Sequence, residues 1–395
     1  MDRLIARYTN SYLSYVLMYL FYNISFALYS AMLSVYLIGK GYSASDVSLC
    51  VSVGSLSAMV TQPVIGSLTD RFGMRPVNLT MFGMACLAAV GVVLAPNFGM
   101  LVGSWATVNL LMNGANPVVE RMATSSPYGY GKVRMWGTIG FACGTQLSGI
   151  IYDRIAPDAL FISMIFSMLL CILGFWGTQP RLAETEAANI EADEDTEPVS
   201  MKDLLKDRRF LYYAALQILL ISVTGATYSF CPAFLTSKGL DASTASTILS
   251  LATIVELPLI VFSSKYMDKV PNKVLLLVCF SLATLNMLVF AFDMPLPLVL
   301  AATLLCFHPP IILNVMTNMK VVNTIVDPRL QVSGLALVKT CQSFGTIVSN
   351  NIGGRIVDAV GYSSMFLFLL VVVVVGLVGV VFFQVPSGND KRLFS

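Results

Sequence analysis

Runs of about twenty apolar residues, separated by short polar turns, recur along nearly the whole chain, and nothing else in it constrains the fold as strongly. One bilayer crossing takes roughly 20 apolar helical residues, so the runs predict a polytopic α-helical membrane protein. Composition agrees. Of 395 residues 56% are hydrophobic and 12% charged, whereas a soluble domain carries about 25% charged residues. A surface with so few charges needs lipid as its solvent.

The expected spans are 11–38, 45–69, 76–95, 98–120, 132–153, 158–177, 209–236, 243–267, 272–292, 296–319, 330–354 and 362–384. Arg3 and Arg7 precede the first run as they would in a signal peptide. The run is too long for a cleaved leader and has no small-residue cleavage site, so it is expected to be retained as the first helix. Segment 178–208 holds nine of the 22 acids, including Glu191, Asp193, Glu194, Asp195 and Glu197. It cannot bury apolar area and reads as an acidic linker, with a short amphipathic helix expected near 201–207. The expected organisation is a six-helix bundle over 1–177, the linker over 178–208, and a second six-helix bundle over 209–395.

Lysine and arginine mark the cytoplasmic side. With both termini inside, eighteen basic residues face inward and four (Lys40, Arg154, Lys238 and Arg355) face outward. The expected location is a cell membrane, with both ends cytoplasmic. The halves also repeat each other. Asp70, Arg71 and Arg75 after the second span recur as Asp268, Lys269 and Lys273 after the eighth. Gly149, Asp153 and Phe161 recur as Gly354, Asp358 and Phe366. Two parallel six-span repeats are one of the known transporter architectures.

The eight cysteines fall singly within apolar runs without CxxC spacing, which suggests neither a metal site nor a redox pair. There is no nucleophile motif and no GxxxxGK[ST] loop. An enzyme is therefore not expected, nor any cofactor, resident metal or nucleic-acid partner, and ATP hydrolysis is not the expected energy source.

Two stretches carry a family resemblance. Gly66-Ser-Leu-Thr-Asp70-Arg71-Phe-Gly73-Met-Arg75 resembles the loop signature of the major facilitator superfamily, G-x-x-x-D-R-x-G-x-R. Asn116-Pro117-Val118-Val119-Glu120, followed by Gly131-Lys132-Val133-Arg134-Met135-Trp136-Gly137, is similar to the lactose permease (oligosaccharide:proton symporter) branch and the related nucleoside permeases. There a Pro-x-x-Glu on the fourth helix faces an Arg on the fifth. Pro63 and Glu256 also match that branch. The resemblance implies an all-α fold of twelve helices in two pseudo-symmetric bundles, with Gly66, Asp70, Arg71, Gly73 and Arg75 as a conformational loop. The chain departs from the pattern at Asn286, Leu305 and His308, where the branch has an Arg, a His and a Glu. It also lacks the acids of the seventh helix, which sets lactose itself aside.

Ionisable residues inside a span are costly and usually face a cavity with a partner. Here they are Glu120, Arg134, Glu256, His308 and Lys339. Arg134 and Lys339 each precede a repeat aspartate by the same interval, which makes them equivalent and predicts that both face a shared cavity. Asn109, Asn113, Asn116 and Glu120 form one helical stripe; Lys339, Gln342, Thr346 and Asn350 form another. Tyr15, Tyr19, Tyr22, Phe26 and Tyr29 make an aromatic stripe, and Thr224 joins Tyr228. The amides and hydroxyls fit either a polar ligand or helix–helix hydrogen bonding, and the aromatic stripe fits either ligand stacking or packing. The candidate substrate contacts are Glu120, Arg134, Glu256, Asn113, Asn116, Tyr22, Tyr228, Lys339 and Gln342. The Arg134 fork is expected to bind ligand while held by Glu120 or Glu256. His308, next to Pro309-Pro310, Glu256 and Glu120 are candidate proton carriers; His308 also fits a neutral imidazole bonded to backbone freed by the prolines.

The expected function is proton-coupled import of a small polar solute, saccharide or nucleoside-like, by alternating access. The partners are that solute, a coupling proton and the bilayer, and the working unit is a monomer. Drug or metabolite efflux on the same fold is the alternative; a membrane solute sensor is a third.

Overall fold

Lipid offers no hydrogen bonds to peptide groups, so each apolar run coils to satisfy its own backbone. The computed structural model describes residues 8–124, 126–128, 130–178, 204, 206–292, 294–327 and 330–386, without the side chains at 58, 60–64, 66, 67, 69, 70, 124, 130, 131, 264 and 332. Among these residues the chain is helical and has no strand. The first helices are α1 (Tyr12–Ser30) with α2 (Leu33–Gly39), α3 (Ala44–Phe72), α4 (Met74–Val93), α5 (Phe98–Thr124), α6 (Tyr130–Arg154) and α7 (Ala159–Gly177). The rest are α8 (Arg208–Ser237), α9 (Ala242–Val255) with α10 (Leu257–Val261) and α11 (Ser263–Tyr266), α12 (Asn272–Ala291), α13 (Leu296–Cys306) with α14 (Pro309–Ile325), α15 (Gln331–Val360) and α16 (Tyr362–Phe382).

Among the described residues, eight of these helical segments are long and apolar enough to cross a membrane. The expectation of twelve spans is met by apolarity only that far. The other four, α3, α5, α6 and α15, are 25 to 30 residues long but more polar. Their polarity has a physical reason: they carry the cavity amides, Arg134, Lys339 and the contacts that join the two parts of the molecule. The acidic segment and its amphipathic helix lie almost wholly outside the described residues.

Packing repeats with the sequence. α1 packs on α6 and α7, and α8 packs in the same way on α15 and α16. α4 pairs with α5 and α7, as α12 pairs with α13, α14 and α16. The two sets meet where α6 packs on α9 and where α15 packs on α3.

Those two junctions explain the glycines and aspartates of the repeat. A Cβ on Gly149 would overlap Ser246 Oγ and the Ala242 carbonyl; one on Gly354 would overlap Ser48 Oγ and come too close to the Ala44 carbonyl. Only hydrogen lets the helices approach this far. Each aspartate then reaches the neighbouring helix. Asp153 Oδ2 accepts from the Ser243 N–H at 2.5 Å, while Asp358 accepts from the Ala44 and Ser45 N–H groups at 2.8 and 2.9 Å. An acid in the last turn of its own helix opposes the macrodipole; here it is offset by the positive N-terminus of the next helix.

The opposite ends show a second repeat. Arg75 donates to the Trp176 carbonyl at the C-terminus of α7, and Lys273 Nζ donates to the Val381 carbonyl at the C-terminus of α16, 2.6 Å away. Both cations thus close the last turn of a helix. Gly73 takes φ 86° between α3 and α4, a left-handed turn that favours glycine. Arg71 stacks on the Phe72 ring. At Gly66 and Asp70, the remaining members of the expected loop motif, only the backbone is described.

Candidate functional site

Among the described residues three polar centres stand between the helices. The first is a cavity of about 500 Å3, within the range of small-molecule sites. α5 contributes Trp105, Asn109 and Asn113; α8 contributes Ile221, Tyr228 and Ser229; α15 contributes Lys339, Gln342, Ser343 and Thr346; and α1 contributes Phe26. The helical stripes on α5 and α15 therefore reach the same space. Four of the nine expected substrate contacts line it: Asn113, Tyr228, Lys339 and Gln342.

Several wall groups are already engaged. Asn113 Nδ2 donates to Asn109 Oδ1 at 3.1 Å and to its carbonyl at 2.9 Å. Gln342 Nε2 donates to Gln217 Oε1 at 2.9 Å. Gln217 also exchanges hydrogen bonds with Asn314 at 2.9 and 3.0 Å and donates to the Tyr213 hydroxyl. Gln342 thus anchors α15 to α8 and α14 as well as lining the cavity. Sequence reasoning missed this network. Its signal was the interval Gln217, Thr224, Tyr228, which puts Gln217 on the same face of α8.

The second centre is Tyr19, Glu120 and Arg134. The Tyr19 hydroxyl donates to Glu120 Oε1 at 2.5 Å, Arg134 Nε stands 3.9 Å from the same oxygen, and the guanidinium lies 5.8 Å from the Tyr19 ring centre. The Arg134 and Glu120 side chains retain 34% and 35% exposure. Arg134 is not in the cavity wall, so the equivalence with Lys339 does not place both cations around one space. The reason is local: Glu120 and the Tyr19 ring hold the guanidinium between α1, α5 and α6. Tyr22 is fully buried and donates to the Met112 carbonyl at 2.6 Å, and Asn116 is exposed; neither lines the cavity. Most of the aromatic stripe packs α1 in place, Tyr22 on Phe82 and Tyr29 on Trp105, and Phe26 alone of its five members reaches the wall.

The third centre joins Glu256 and His308. His308 Nδ1 lies 3.5 Å from Glu256 Oε2, with side-chain exposures of 8% and 14%. His308 Nε2 is 3.1 Å from Thr253 Oγ1, whose own proton goes to the Leu249 carbonyl. The threonine oxygen therefore accepts, and Nε2 carries a hydrogen. That leaves Nδ1 facing the carboxylate, an arrangement that is favourable with one proton between them and repulsive with none. Both residues sit at helix breaks: Glu256 divides α9 from α10, ahead of Pro258, and His308 divides α13 from α14, ahead of Pro309. Proline removes a ladder hydrogen bond and creates the break. Tyr228 of the cavity stacks on Phe307 with centroids 6.2 Å apart and planes at 8°, and Phe307 adjoins His308. The cavity and the pair are thus in side-chain contact. Glu256 has His308 as its partner, which leaves Glu120 facing Arg134.

Among the described residues no group of His, Cys, Asp and Glu could hold a metal ion.

Comparison with known proteins places these features. The model of the family described as MFS_1 like family matches residues 12–370. The maltose permease of Geobacillus stearothermophilus is 22% identical over 90% of this chain and 91% of its own. The raffinose permease of Escherichia coli is 28% identical, over 37% of each chain. The solved structure of the nucleoside transporter NupG superimposes with a TM-score of 0.77 at 15% identity, covering 94% of this chain and 97% of that one.

Proposed function

Because this chain belongs to the MFS_1 like family, whose relatives above are permeases, we propose that it is a proton-coupled secondary transporter importing a small polar solute by alternating access. The supporting observation is the cavity of about 500 Å3, walled by polar side chains of α5, α8 and α15. In this reading 1–177 and 209–395 are two bundles joined by the segment 178–208, with both termini cytoplasmic. They rock about the cavity, and a single chain completes the site.

The Glu256–His308 pair supplies the coupling. With one proton shared, imidazolium against carboxylate or imidazole against carboxylic acid, the two helix breaks are drawn together. Loss of that proton sets the Nδ1 lone pair against a carboxylate in a poorly solvated place, and the breaks separate. A solute that moves Tyr228 acts on the same pair through Phe307. Glu120 holds Arg134 and Tyr19 in place.

The maltose and raffinose permeases and NupG nominate saccharides and nucleosides as the first solutes to test. Purified full-length protein is screened for thermal stabilisation by each, since a specific binder raises apparent stability by mass action. Binders are then assayed for uptake into proteoliposomes. The reading expects an inward proton gradient to drive accumulation of at least one binder, and accumulation to collapse with a protonophore. Binding without accumulation would contradict it.

A further inference from the structure

The charge of the cavity narrows the ligand class. Lys339 lies in the wall, on the stripe of α15 with Gln342 and Thr346. Among the described residues no aspartate or glutamate lines that wall, and no hydrogen bond or ion pair holds the Lys339 ammonium. Other charged groups between the helices are matched among the described residues: Arg134 by Glu120, Glu256 by His308, and Lys320 by the Met267 and Val270 carbonyls it donates to at 2.7 Å. Lys339 is different. Lys339 is exposed to the cavity, so its ammonium faces whatever enters, and among the described residues no opposite charge stands beside it.

The remaining donors point the same way. Hydroxyls of Ser30, Ser229, Thr340 and Thr346 spend their protons on the carbonyl four residues back. Asn109 accepts from Asn113, which leaves its own amide protons unspent. The strongest unsatisfied donor is Lys339. Trp105, Phe26 and Ile221 add apolar surface to the same cavity.

We propose that the transported solute is an organic monoanion: one carboxylate bound by the Lys339 ammonium, with an apolar or planar body against Trp105, Phe26 and Tyr228. This rests on the transport reading and specifies its substrate.

The test uses matched acids and their neutral amides: phenylpropionate, benzoate and glucuronate, each against its carboxamide. Binding to purified full-length protein is read as a shift in thermal midpoint, and transport as counterflow in proteoliposomes. At least one carboxylate is expected to bind roughly tenfold or more tightly than its amide, the scale of a charge-assisted hydrogen bond. Lys339→Gln is expected to erase that preference and Lys339→Arg to keep most of it. Equal binding of acid and amide, a preference that survives Lys339→Gln, or no binding by any acid in the set overturns the proposal. The two readings fail separately. Counterflow of neutral sugars or nucleosides without carboxylates leaves transport standing and removes the anion. A carboxylate preference that depends on Lys339, without counterflow, keeps the anion and removes transport.

Discussion

At the scale of single residues, burial separates two pairs that look equivalent in sequence. Glu120–Arg134 keeps about a third of its surface and lies 3.9 Å apart, whereas Glu256–His308 is nearly closed off. Exposed ion pairs contribute little, about 0–1 kcal/mol, and a proton moved at a desolvated pair is felt far more. His308→Gln and Glu256→Gln should each abolish accumulation driven by a pH gradient while leaving solute counterflow, which needs no net proton movement. Full pH-driven uptake by either variant would remove the pair from the mechanism. The Gln217 network gives a stability prediction. Gln217→Leu strands the Asn314 and Gln342 amides, and each membrane hydrogen bond is worth about 0.6 kcal/mol on average and about 1.7 at most. A loss of roughly 1–3 kcal/mol in reversible unfolding of the detergent-solubilised protein is expected. The ionisable residues were legible as a set, because charges stand out in apolar runs. Their partners were not. Glu256 and His308 meet through the breaks at Pro258 and Pro309, and helical spacing within one element cannot report which helices face each other.

At the scale of elements, the repeated Gly and Asp residues are mechanical parts. Gly149 and Gly354 let helices touch, and Asp153 and Asp358 cap the helices they touch. The sequence showed that the two pairs are equivalent. It could not show what they bind, since the partners Ala44, Ser45 and Ser243 are unremarkable as residues. Each cap across a junction is worth about 0.3–1 kcal/mol, up to about 2. Asp153→Ala combined with Asp358→Ala should therefore move the balance toward opening of this face by roughly tenfold. Spin labels at Ile155 and Ser237 would report it as a longer distance; an unchanged distribution would show that the caps do not latch the face. The cap Asp241, in the turn before α9, accepts from the Thr244 N–H at 2.9 Å. Hydrogen bonds from Thr244 hold its carboxyl below the ordinary value. A lowered carboxyl contributes stability above its unfolded value and loses it as pH falls through the folded value. The difference in thermal midpoint between the protein and Asp241→Asn should thus be constant near neutrality and vanish in strong acid.

At the scale of the whole molecule, fold class was readable from hydropathy alone, and the number of fully apolar crossings was not. α3, α5, α6 and α15 fail a purely apolar criterion because part of each helix faces protein or cavity instead of lipid. The same polarity that weakens the hydropathy signal of these helices builds the site, so a weak span signal here marks functional elements. The packing pairs of α1 through α7 recur in α8 through α16, and contact between the sets runs mainly through α6 on α9 and α15 on α3. In the proposed reading the two sets rock at these junctions. The most direct test places one cysteine in the cavity, Ser343→Cys, in full-length protein whose eight native cysteines have been replaced. Labelling by a membrane-impermeant maleimide is then measured from each side of sealed vesicles, with and without a proton gradient. The account predicts labelling from both sides, with the gradient shifting the ratio. A cysteine labelled from one side under every condition would contradict it.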